Sequence, residues 1–583
     1  MAEGHSFSFL PSSFSPKVLR FNYGHPIIED KVIERRVFTL GSSSCGGRDM
    51  KFDPNHQPYA SERLTLGAAN GVVATGNPLA AQAGLEMLKK GGNAVDAAIA
   101  AAACLTVVEP TANGIGSDNF ALVWMKEKLY GMNANGPSPA SISLKEIQKN
   151  HEKMPVHGWT PVTVPGAPEG WASLSERFGN LSLLECLTPA IDYAEKGFPV
   201  GAHTALMWQR ALKKYQEIFQ GKPEYEEWFK TFTFDGKAPE PFQVIKLPHH
   251  GKTLRLIGET NGRAFYDGVL AEAMEEDALA HGGYLRKSDL ASFKASFVTP
   301  LSVDYRGFEV VELPPSGQGM VALMALNIFK NFSVEDRDAT YYHRVFESMK
   351  MAFADGMHYI TDPAQMKASP EALLKEAYGK MRSLEIEETA KIFTHEDPAK
   401  SGTVYLNAAD KEGNMVSMIQ SNYMGFGSGI VVKDTGISLQ NRGADFSLDE
   451  NHVNVLAPKK KTYHTIIPGM LLKEGKALAV FGVMGGYMQP QGHFQVVSNL
   501  IDFHLNPQMA LDAPRWQWIK EKAFMVEPAF DQEALEALRE KGHEVKIETD
   551  RSHFGRGQII VKLENGAYAA GCESRTDSNL AVY

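Results

Sequence analysis

The hydrophobic positions of the chain predict an alternation of strands and helices from Gly71 onward. The run GVVATGNPLAAQAGLEMLKKGGNAVDAAIAAAACLTVVEP is typical of a short strand, a helix, a Gly-Gly break and a second helix. Asn77 and Pro78 supply an N-cap and an N1 proline to the first helix, and Asn93 is the N-cap of the second. The interior of the second helix is almost all alanine, which permits close packing against a sheet.

A hairpin pattern begins just after Ser401, where the sequence reads SGTVYLNAADKEGNMVSMIQSN. The residues on either side of a turn at 410–413 alternate as expected for two antiparallel strands. A four-residue turn pairs residues whose numbers sum to about 823 or 824. Thr403 is therefore expected to face either Gln420 or Ser421, at a Cβ separation of roughly 5 Å for a direct pair.

The remaining patterns extend this mixture of helices and strands. The middle of the chain is helical, and the stretch LSVDYRGFEVVELPP predicts a strand pair ended by prolines. The polar stretch FTHEDPAKSG predicts an exposed loop before the hairpin. Residues 403–583 are rich in strand patterns, with helices expected around 507–513 and 531–541.

Length and composition narrow the class of protein. At 583 residues the chain exceeds the size at which single hydrophobic cores stop growing, so more than one structural unit is expected. With 43% apolar residues, 22% charged residues and a net charge of -10, the composition is typical of a soluble globular enzyme and argues against a nucleic-acid partner. The apolar run from Ala94 to Val108 contains Asp96 and is shorter than the ~20 residues of a membrane span, so no membrane partner is expected.

The cysteines and the N-terminal segment bear on the compartment. The four cysteines are too few and too scattered for a disulfide framework, and no C-x-x-C pair suggests a zinc or redox site. Residues 1–49 lack an apolar segment of signal-peptide length. We therefore predict a reducing, cytoplasmic compartment. Residues 1–49 are either an upstream extension, with the domain beginning near Met50, or an ordered arm.

Several common active-site motifs are missing from the sequence. It contains no H-E-x-x-H, no Walker A lysine and no G-x-S-x-G elbow. The glycine cluster GFGSG at 425–429 lacks the strand-helix context of a dinucleotide fingerprint and is expected to form a tight turn. Neither a metal nor a cofactor is therefore predicted.

Thr403 offers a different chemistry. A threonine at the start of a strand is most often an ordinary β-former. If the Gly402–Thr403 bond is cut, however, Thr403 gains an α-amine whose ordinary pKa of about 7.7 to 8.0 suits it to act as a base for its own hydroxyl. One residue would then supply both nucleophile and base, with a second hydroxyl across the strand pair.

A series of sequence blocks gives the catalytic interpretation its weight. In chain order the blocks are GNPLAAQAGLEMLKKGGNAVDAAIA, VPGAPEGW, LPPSGQGM, MKMAFADG, GTVYLNAADKEGN, GFGSGIVVKDTGISLQNRGADFS, IIPGM, GVMGGYMQPQGH and ALDAPRW. With these blocks the chain resembles the γ-glutamyltranspeptidase family, N-terminal-nucleophile hydrolases that include glutathione hydrolases and some cephalosporin acylases. The resemblance covers nearly everything from Met50 to Tyr583.

The resemblance implies an α/β fold, a four-layer αββα sandwich, formed by a proenzyme that cuts itself before Thr403. The large chain would run from 50 to 402 and the small chain from 403 to 583, and the two would remain together as a heterodimer. Thr403 would form an acyl-enzyme with a small-molecule γ-glutamyl substrate such as glutathione. It would then pass the acyl group to water, an amino acid or a peptide.

Family positions also imply the other residues of the site. The backbone amides of Gly485 and Gly486 would form an oxyanion hole, where glycine suits a backbone that approaches the reacting carbonyl. Ser421 would place a hydroxyl beside the nucleophile, in agreement with the hairpin count. Asp445 would bind the α-amino group of the γ-glutamyl donor.

The sequence departs from the family at the donor carboxylate. Asn135 stands where glutathione-cleaving members carry an arginine, and a neutral amide cannot replace a bidentate guanidinium. Arg442 either supplies the missing charge from the other side of the pocket or pairs with Asp445. The serine pair that often contacts the carboxylate is His464-Thr465 here. Thr465 keeps a hydroxyl, and the His464 imidazole can still donate a hydrogen bond.

Two further departures affect the choice of substrate. The family usually has an asparagine after the first strand pair. Here the asparagine occurs one residue earlier, as Asn422, and Tyr423 stands in its usual position. A shift of one residue in a strand reverses the face to which a side chain points, so Asn422 and Tyr423 are expected on opposite faces. The span from Ser447 to Lys459 is short beside the lidded members, which suggests an open pocket that admits bulkier acyl groups.

Three functions fit these observations. The leading one is a self-processing γ-glutamyltransferase or glutathione hydrolase. The alternative is an acylase for glutaryl or cephalosporin-type amides, because the altered clamp relaxes the demand for the α-carboxylate. A catalytically silent binding protein would belong to another class and would remain a single chain.

Overall fold

Two seven-stranded antiparallel sheets organise the part of the chain that the computed structural model describes, residues 62–393 and 402–583. The strands are β1 (Leu66–Ala68), β2 (Gly71–Thr75), β3 (Asp118–Met125), β4 (Lys128–Ala134), β5 (Phe198–Pro199), β6 (Val244–Ile245), β7 (Ser296–Val298), β8 (Leu301–Tyr305), β9 (Phe308–Glu312), β10 (Gly402–Asp410), β11 (Met415–Tyr423), β12 (Val431–Val432), β13 (Ile437–Ser438), β14 (Gly469–Lys473), β15 (Lys476–Met484), β16 (Trp516–Lys520), β17 (Ala523–Val526), β18 (Glu544–Ile547), β19 (Arg556–Lys562), β20 (Tyr568–Cys572) and β21 (Asn579–Val582).

The helices of the described residues fall mainly before β10 and after β15. They are α1 (Pro78–Lys89), α2 (Ala94–Val108), α3 (Leu144–Gln148), α4 (Ala167–Phe178), α5 (Leu183–Lys196), α6 (Ala202–Phe219), α7 (Glu226–Phe232), α8 (Pro248–Glu259), α9 (Arg263–Tyr266), α10 (Val269–Ala280), α11 (Lys287–Ser292), α12 (Gly319–Phe329), α13 (Ala339–Tyr359), α14 (Pro370–Leu373), α15 (Glu376–Ser383), α16 (Met488–Ile501), α17 (Pro507–Asp512) and α18 (Gln532–Glu540). Within these residues, no helix is both long and apolar enough to cross a membrane.

The sheets and helices form four layers. Sheet I has the order β21-β2-β10-β11-β3-β4-β7, and sheet II has the order β1-β20-β19-β15-β14-β9-β8. Helices α1, α2, α5 and α8 share one apolar core with the outer face of sheet I, while α12, α13 and α16 share another with sheet II. A third core fills the space between the two sheets. This is the αββα sandwich expected from the resemblance, and the fold prediction is confirmed.

The period-2 pattern of the hairpin explains how β10 reaches both layers. Leu406 and Ala408 join the core beneath the helices, whereas Tyr405 and Ala409 join the core between the sheets. Successive side chains of a strand point to opposite faces, so a central strand buried on both faces must be apolar on both. Thr403 has the same parity as Tyr405 and therefore belongs to the face between the sheets.

Local predictions for the first helices and the glycine cluster are confirmed. The Asn77 side chain accepts from the Leu79 amide with Pro78 in the first turn, and Asn93 forms a capping box with Asp96. All 15 residues of α2 are buried. The glycines of the 425–429 cluster have φ between 56° and 79°, which is the conformation of a tight turn. The stretch FTHEDPAKSG falls largely, and residues 1–49 fall wholly, outside the described residues.

The hairpin turn lies one residue later than predicted. Strand β10 continues through Asp410, and the loop spans 411–414 rather than 410–413. The Asp410 carboxylate accepts hydrogen bonds from the backbone amides of Glu412 and Asn414, at 3.1 and 3.0 Å. An aspartate that holds the following turn in this way acts as the last residue of the strand.

A buried polar cluster joins residues that precede Thr403 to residues that follow it. His343 Nδ1 on α13 lies 2.8 Å from Nε2 of His543, which follows α18. One turn further along α13, Glu347 and Lys350 form an ion pair of 2.6 Å with no exposed surface, and Lys350 Nζ also donates to the Lys391 carbonyl. Because polar groups this deep must satisfy one another, the cluster fixes the two parts of the chain together.

We expect acid to destabilise the fold through this cluster. Burial, followed by the neighbouring Lys350 ammonium, lowers the pKa of His543 to about 2. The unfolded chain, with an ordinary histidine pKa of about 6.5, therefore binds more protons than the folded chain below that pH. Stability present above pH 6.5 is then lost as the pH falls, by at most about 1.4 kcal/mol per pH unit for this group.

The variant His543→Phe tests this expectation, because the histidine ring already packs against Phe346 and Phe524. Its melting temperature should fall less steeply than that of the unsubstituted protein between pH 6.5 and 4.5. The exposed His151→Gln variant serves as the control and should keep the original slope. Equal slopes for all three proteins would contradict the expectation.

Candidate active site

Polar side chains line up across three neighbouring strands at one end of sheet I. Val404 pairs with Gln420, and the register shifts at Thr403 because Gly402 pairs with Tyr423. On the next strand pair Ser421 lies opposite Asp118. Residues directly opposite each other point to the same face, so Thr403, Ser421 and Asp118 form a row between the two sheets, and all three are fully buried.

The hydroxyls of Thr403 and Ser421 form a direct hydrogen bond. Thr403 Oγ1 lies 2.9 Å from Ser421 Oγ, and Ser421 Oγ also accepts the Tyr423 backbone amide at 2.8 Å. Gln420 points to the other face, where it accepts from the Trp171 indole. Of the two residues expected opposite the threonine, the structure therefore selects Ser421.

The row ends at the residue that follows β4. Asn119 pairs with Ala134, so the next position along both strands brings Asp118 opposite Asn135. Asn135 Nδ2 donates to Ser316 Oγ at 3.1 Å, while its buried Oδ1 has no hydrogen-bond partner among the described residues. An unsatisfied buried acceptor is costly, which indicates a position that a bound group completes.

Gly485 and Gly486 form the turn that follows β15. Their φ angles of 139° and 63° lie in the region that favours glycine. The two carbonyls are engaged, Gly485 O by the Met488 amide and Gly486 O by the Gln489 amide and the Gln318 side chain. The two amides donate no hydrogen bond to any other described group. Backbone amides without a partner can stabilise a developing oxyanion.

Arg442 is a fully buried cation with part of its guanidinium unused. Nη1 donates to Thr465 Oγ1 at 2.8 Å and lies 3.6 Å from Asp445 Oδ2, while Nε lies 3.8 Å from Asp118 Oδ2. The guanidinium stacks over the Tyr423 ring at 4.1 Å from its centroid. Nε and Nη2 donate to no described group. Such an edge fits a carboxylate, which accepts two parallel hydrogen bonds from a guanidinium.

Asp445 lies on the other side of Arg442 and is bound by two phenols. Its Oδ1 accepts the Tyr423 hydroxyl at 2.5 Å and the Tyr487 hydroxyl at 3.3 Å. Burial raises the pKa of Asp445 to about 6, although Arg442 and the two phenols oppose the shift. Asn422 points away and accepts from the Ser117 hydroxyl, so the change of face predicted for the Asn422 and Tyr423 pair is confirmed.

His464 lies behind the row and binds a carboxylate of the protein. Its Nε2 lies 2.9 Å from Asp118 Oδ2, and its Nδ1 accepts the Ile466 amide. With Nδ1 as acceptor, Nε2 carries the proton and donates to Asp118. Burial lowers the pKa of His464 well below its usual range, so the ring is neutral. The hydrogen bond that His464 was expected to offer is therefore used on Asp118.

A cavity of about 690 Å³ opens beside this cluster. Tyr423, Asp445, Tyr463 and Tyr487 line it on the side of the row, and part of the predicted short span 447–459 lines it on the other. Two groups of possible metal ligands occur in the described chain, and neither includes a residue of the row; they are His343 with Glu347 and His543, and Glu227 with His249 and Asp434.

Asp118, Gln318 and Tyr423 are among the residues of the site that were not assigned from the sequence. Asp118 begins the strand DNFALVWM, which is apolar from Phe120 onward, and an acidic residue in that position is a detectable signal. Gln318, in the block LPPSGQGM, holds the carbonyls of Thr465 and Gly486 through one amide nitrogen. Tyr423 was noted only as a replacement, and its contacts with two charged residues follow from tertiary packing.

Comparison with known proteins agrees with this geometry. The family profile described as Gamma-glutamyltranspeptidase matches residues 80–583. The chain is 37% identical over 513 residues to the glutathione hydrolase-like YwrD proenzyme of Bacillus subtilis, covering 86% of this chain and 96% of the relative. It is 32% identical to the oxamate amidohydrolase proenzyme of Klebsiella pneumoniae, covering 88% and 99%. The crystal structure of cephalosporin acylase from Bacillus halodurans superposes with a TM-score of 0.89 at 51% identity, covering 92% of this chain and 99% of that chain.

Asp118 should make the fold less stable as the pH rises. Burial raises the pKa of Asp118 to about 7, with Arg442 opposing the shift. Between the ordinary aspartate pKa of about 3.9 and pH 7 the folded chain therefore binds more protons than the unfolded chain. The free energy of unfolding then decreases with pH by at most about 1.4 kcal/mol per pH unit for this group.

The variant Asp118→Asn tests this expectation. Its free energy of unfolding, measured with denaturant, should decrease less between pH 5 and 7.5 than that of the unsubstituted protein. The exposed Asp304→Asn variant should match the unsubstituted protein, and an unchanged slope in Asp118→Asn would refute the assignment.

Proposed function

The chain belongs to the gamma-glutamyltranspeptidase family, and from this premise we propose that it is a self-processing amidohydrolase whose nucleophile is Thr403. The observation that carries the proposal is the 2.9 Å hydrogen bond between the Thr403 and Ser421 hydroxyls in a buried row. Gly402 opens β10 directly before the threonine. Cleavage of the Gly402–Thr403 bond gives Thr403 a free α-amine beside its hydroxyl.

The released α-amine acts as the general base. It accepts the proton of Thr403 Oγ1 as that oxygen attacks the carbonyl carbon of the substrate amide, and Ser421 holds the hydroxyl in position. The amides of Gly485 and Gly486 stabilise the oxyanion of the tetrahedral intermediate. The protonated α-amine then gives its proton to the leaving amine, the C–N bond breaks, and an ester between the acyl group and Thr403 remains.

Deacylation repeats the same steps with a second nucleophile. Water, or the amine of an amino acid or peptide, attacks the ester carbonyl while the α-amine of Thr403 accepts its proton. The tetrahedral intermediate collapses, and the proton returns to Thr403 Oγ1. Water gives hydrolysis and an amine gives transfer, so the two outcomes differ only in the acceptor.

The donor is proposed to carry a carboxylate at the end of its acyl group. The unused Nε and Nη2 of Arg442, next to Thr465 Oγ1, support this assignment. A γ-glutamyl amide such as glutathione fits this description and is the first candidate. A glutaryl amide fits it equally, and the 51% identity to a cephalosporin acylase favours this second candidate.

Replacement of the nucleophile tests the proposal. Thr403→Ala should leave the protein as a single chain on a denaturing gel and lower amide turnover by at least about 1,000-fold, since removing the nucleophile of a serine protease lowers kcat by about a millionfold. The unsubstituted protein should give two fragments, with a new N-terminus at Thr403. Thr403→Ser should still cleave itself, and the exposed Thr549→Ala should behave as the unsubstituted protein. If the unsubstituted protein is fully active as a single chain, self-processing is disproved. If it turns over no amide, as expected of a catalytically silent binding protein, catalysis is disproved.

Replacement of Arg442 tests the carboxylate assignment. Charge-assisted hydrogen bonds contribute about 1.5–3 kcal/mol, so Arg442→Gln should lower kcat/KM for glutaryl-p-nitroanilide by about 10- to 100-fold. Butyryl-p-nitroanilide lacks the carboxylate, and its kcat/KM should change less than about threefold. The exposed Arg263→Gln variant is the control for a lost surface charge. Equal losses for both donors in Arg442→Gln would indicate that the arginine serves the fold and not the donor.

A further inference from the structure

The two candidate donors differ by one chemical group. A γ-glutamyl group carries an ammonium on the carbon that bears its carboxylate, whereas a glutaryl group carries only hydrogen there. Arg442 can bind the carboxylate of either donor, so it does not distinguish them. Discrimination depends on whether an anionic group near the Arg442 edge is available to an ammonium. Asp445, which borders the cavity, is the carboxylate in contact with Arg442 on that side.

The two oxygens of Asp445 differ in their surroundings. Oδ1 accepts two phenolic hydroxyls, from Tyr423 at 2.5 Å and from Tyr487 at 3.3 Å. Oδ2 has no hydrogen-bond partner among the described residues and is buried 3.6 Å from Nη1 of Arg442. The negative charge of Asp445 is therefore balanced within the protein. An incoming ammonium would have to displace a phenol to reach Oδ1, and at Oδ2 it would lie close to the Arg442 cation, which repels it.

Tyr423 is held in this position by its backbone amide, by the stacking of its ring and by burial. Its backbone has φ 76° and donates from its amide to Ser421 Oγ, so the residue is tied to the partner of the nucleophile. Its ring carries the Arg442 guanidinium on one face. Its side chain is fully buried. Burial also raises the pKa of the Tyr423 phenol well above its usual range, so the phenol remains a donor.

We infer that Tyr423 determines the donor class by occupying Asp445, and that the preferred donors are monoamides of dicarboxylic acids that lack an α-ammonium, with the glutaryl group as the type. The inference rests on the proposed function, because it concerns the substrate of the same site. Tyr423 acts on binding of the donor and takes no part in the transfer of the acyl group.

The experiment compares two matched donors, glutaryl-p-nitroanilide and L-γ-glutamyl-p-nitroanilide, with purified self-cleaved protein. The unsubstituted protein should show kcat/KM at least tenfold higher for the glutaryl donor. Tyr423→Phe keeps the ring under Arg442 and removes the hydroxyl from Asp445. It should move the ratio of the two kcat/KM values at least fivefold toward the γ-glutamyl donor.

A matched control variant is Tyr463→Phe. Tyr463 lines the same cavity, but its hydroxyl donates to Gln318 Oε1, and Gln318 in turn holds Gly486. Loss of that hydroxyl should change the turnover of both donors by the same factor and leave their ratio unaltered. A shift of the ratio in Tyr463→Phe as large as that in Tyr423→Phe would overturn the assignment to Tyr423.

Inhibition of the unsubstituted protein provides a measurement that does not depend on any variant. Glutarate should inhibit turnover at a concentration at least tenfold lower than L-glutamate does. Equal or stronger inhibition by L-glutamate, a preference for the γ-glutamyl donor, or an unchanged ratio in Tyr423→Phe would each overturn the inference. Self-cleaved protein that turns over neither donor would also overturn the donor class, whereas failure of self-cleavage would overturn the proposed function itself.

Discussion

The hydrogen bond between the hydroxyls of Thr403 and Ser421 is the constraint on which the site depends. It follows from the register of β10 and β11, in which paired residue numbers sum to 824 up to the shift before Val404. A slip of one residue would turn Ser421 toward the helices and bring Gln420 between the sheets. The same register sets Ser421 opposite Asp118, and the pairing of β3 with β4 then brings Asn135 to the end of the row. The hairpin thus positions the nucleophile and the donor pocket together.

The donor pocket is organised around one buried cation. Arg442 lies between the carboxylates of Asp118 and Asp445 and on the ring of Tyr423. Burying three charged groups is costly unless each has partners, and His464, Thr465 and the phenols provide most of them. The Nε and Nη2 atoms of Arg442 have no partner among the described residues and mark where a donor carboxylate would complete the network, while Asp118, Asn135 and Asp445 each keep one buried oxygen without a hydrogen bond.

The sequence predicted the elements whose causes are local and missed the contacts whose causes are tertiary. Helix caps at Asn77 and Asn93, the alternation along β10 and the change of face at Tyr423 follow from residue type and spacing, and the structure confirms them. The hairpin turn was placed one residue early because the Asp410 side chain extends the strand. From the sequence, the replacement of the family arginine by Asn135 predicts a relaxed demand for the donor carboxylate. Both candidate donors, the γ-glutamyl and the glutaryl amide, nevertheless carry that carboxylate, so its binding does not separate them. The contact between Tyr423 and Asp445 joins residues from two separate segments, and spacing does not predict it.

The most direct test of the central claim is the intact mass of the small chain after brief reaction with a slowly released donor such as glutaryl-p-nitroanilide, followed by acid quench. A threonine acyl-enzyme predicts a fragment beginning at Thr403 whose mass is increased by one acyl group, with the adduct located on its N-terminal peptide. An adduct on any other residue would contradict the claim that Thr403 is the nucleophile. Turnover with no adduct at any quench time before the steady state would contradict it as well.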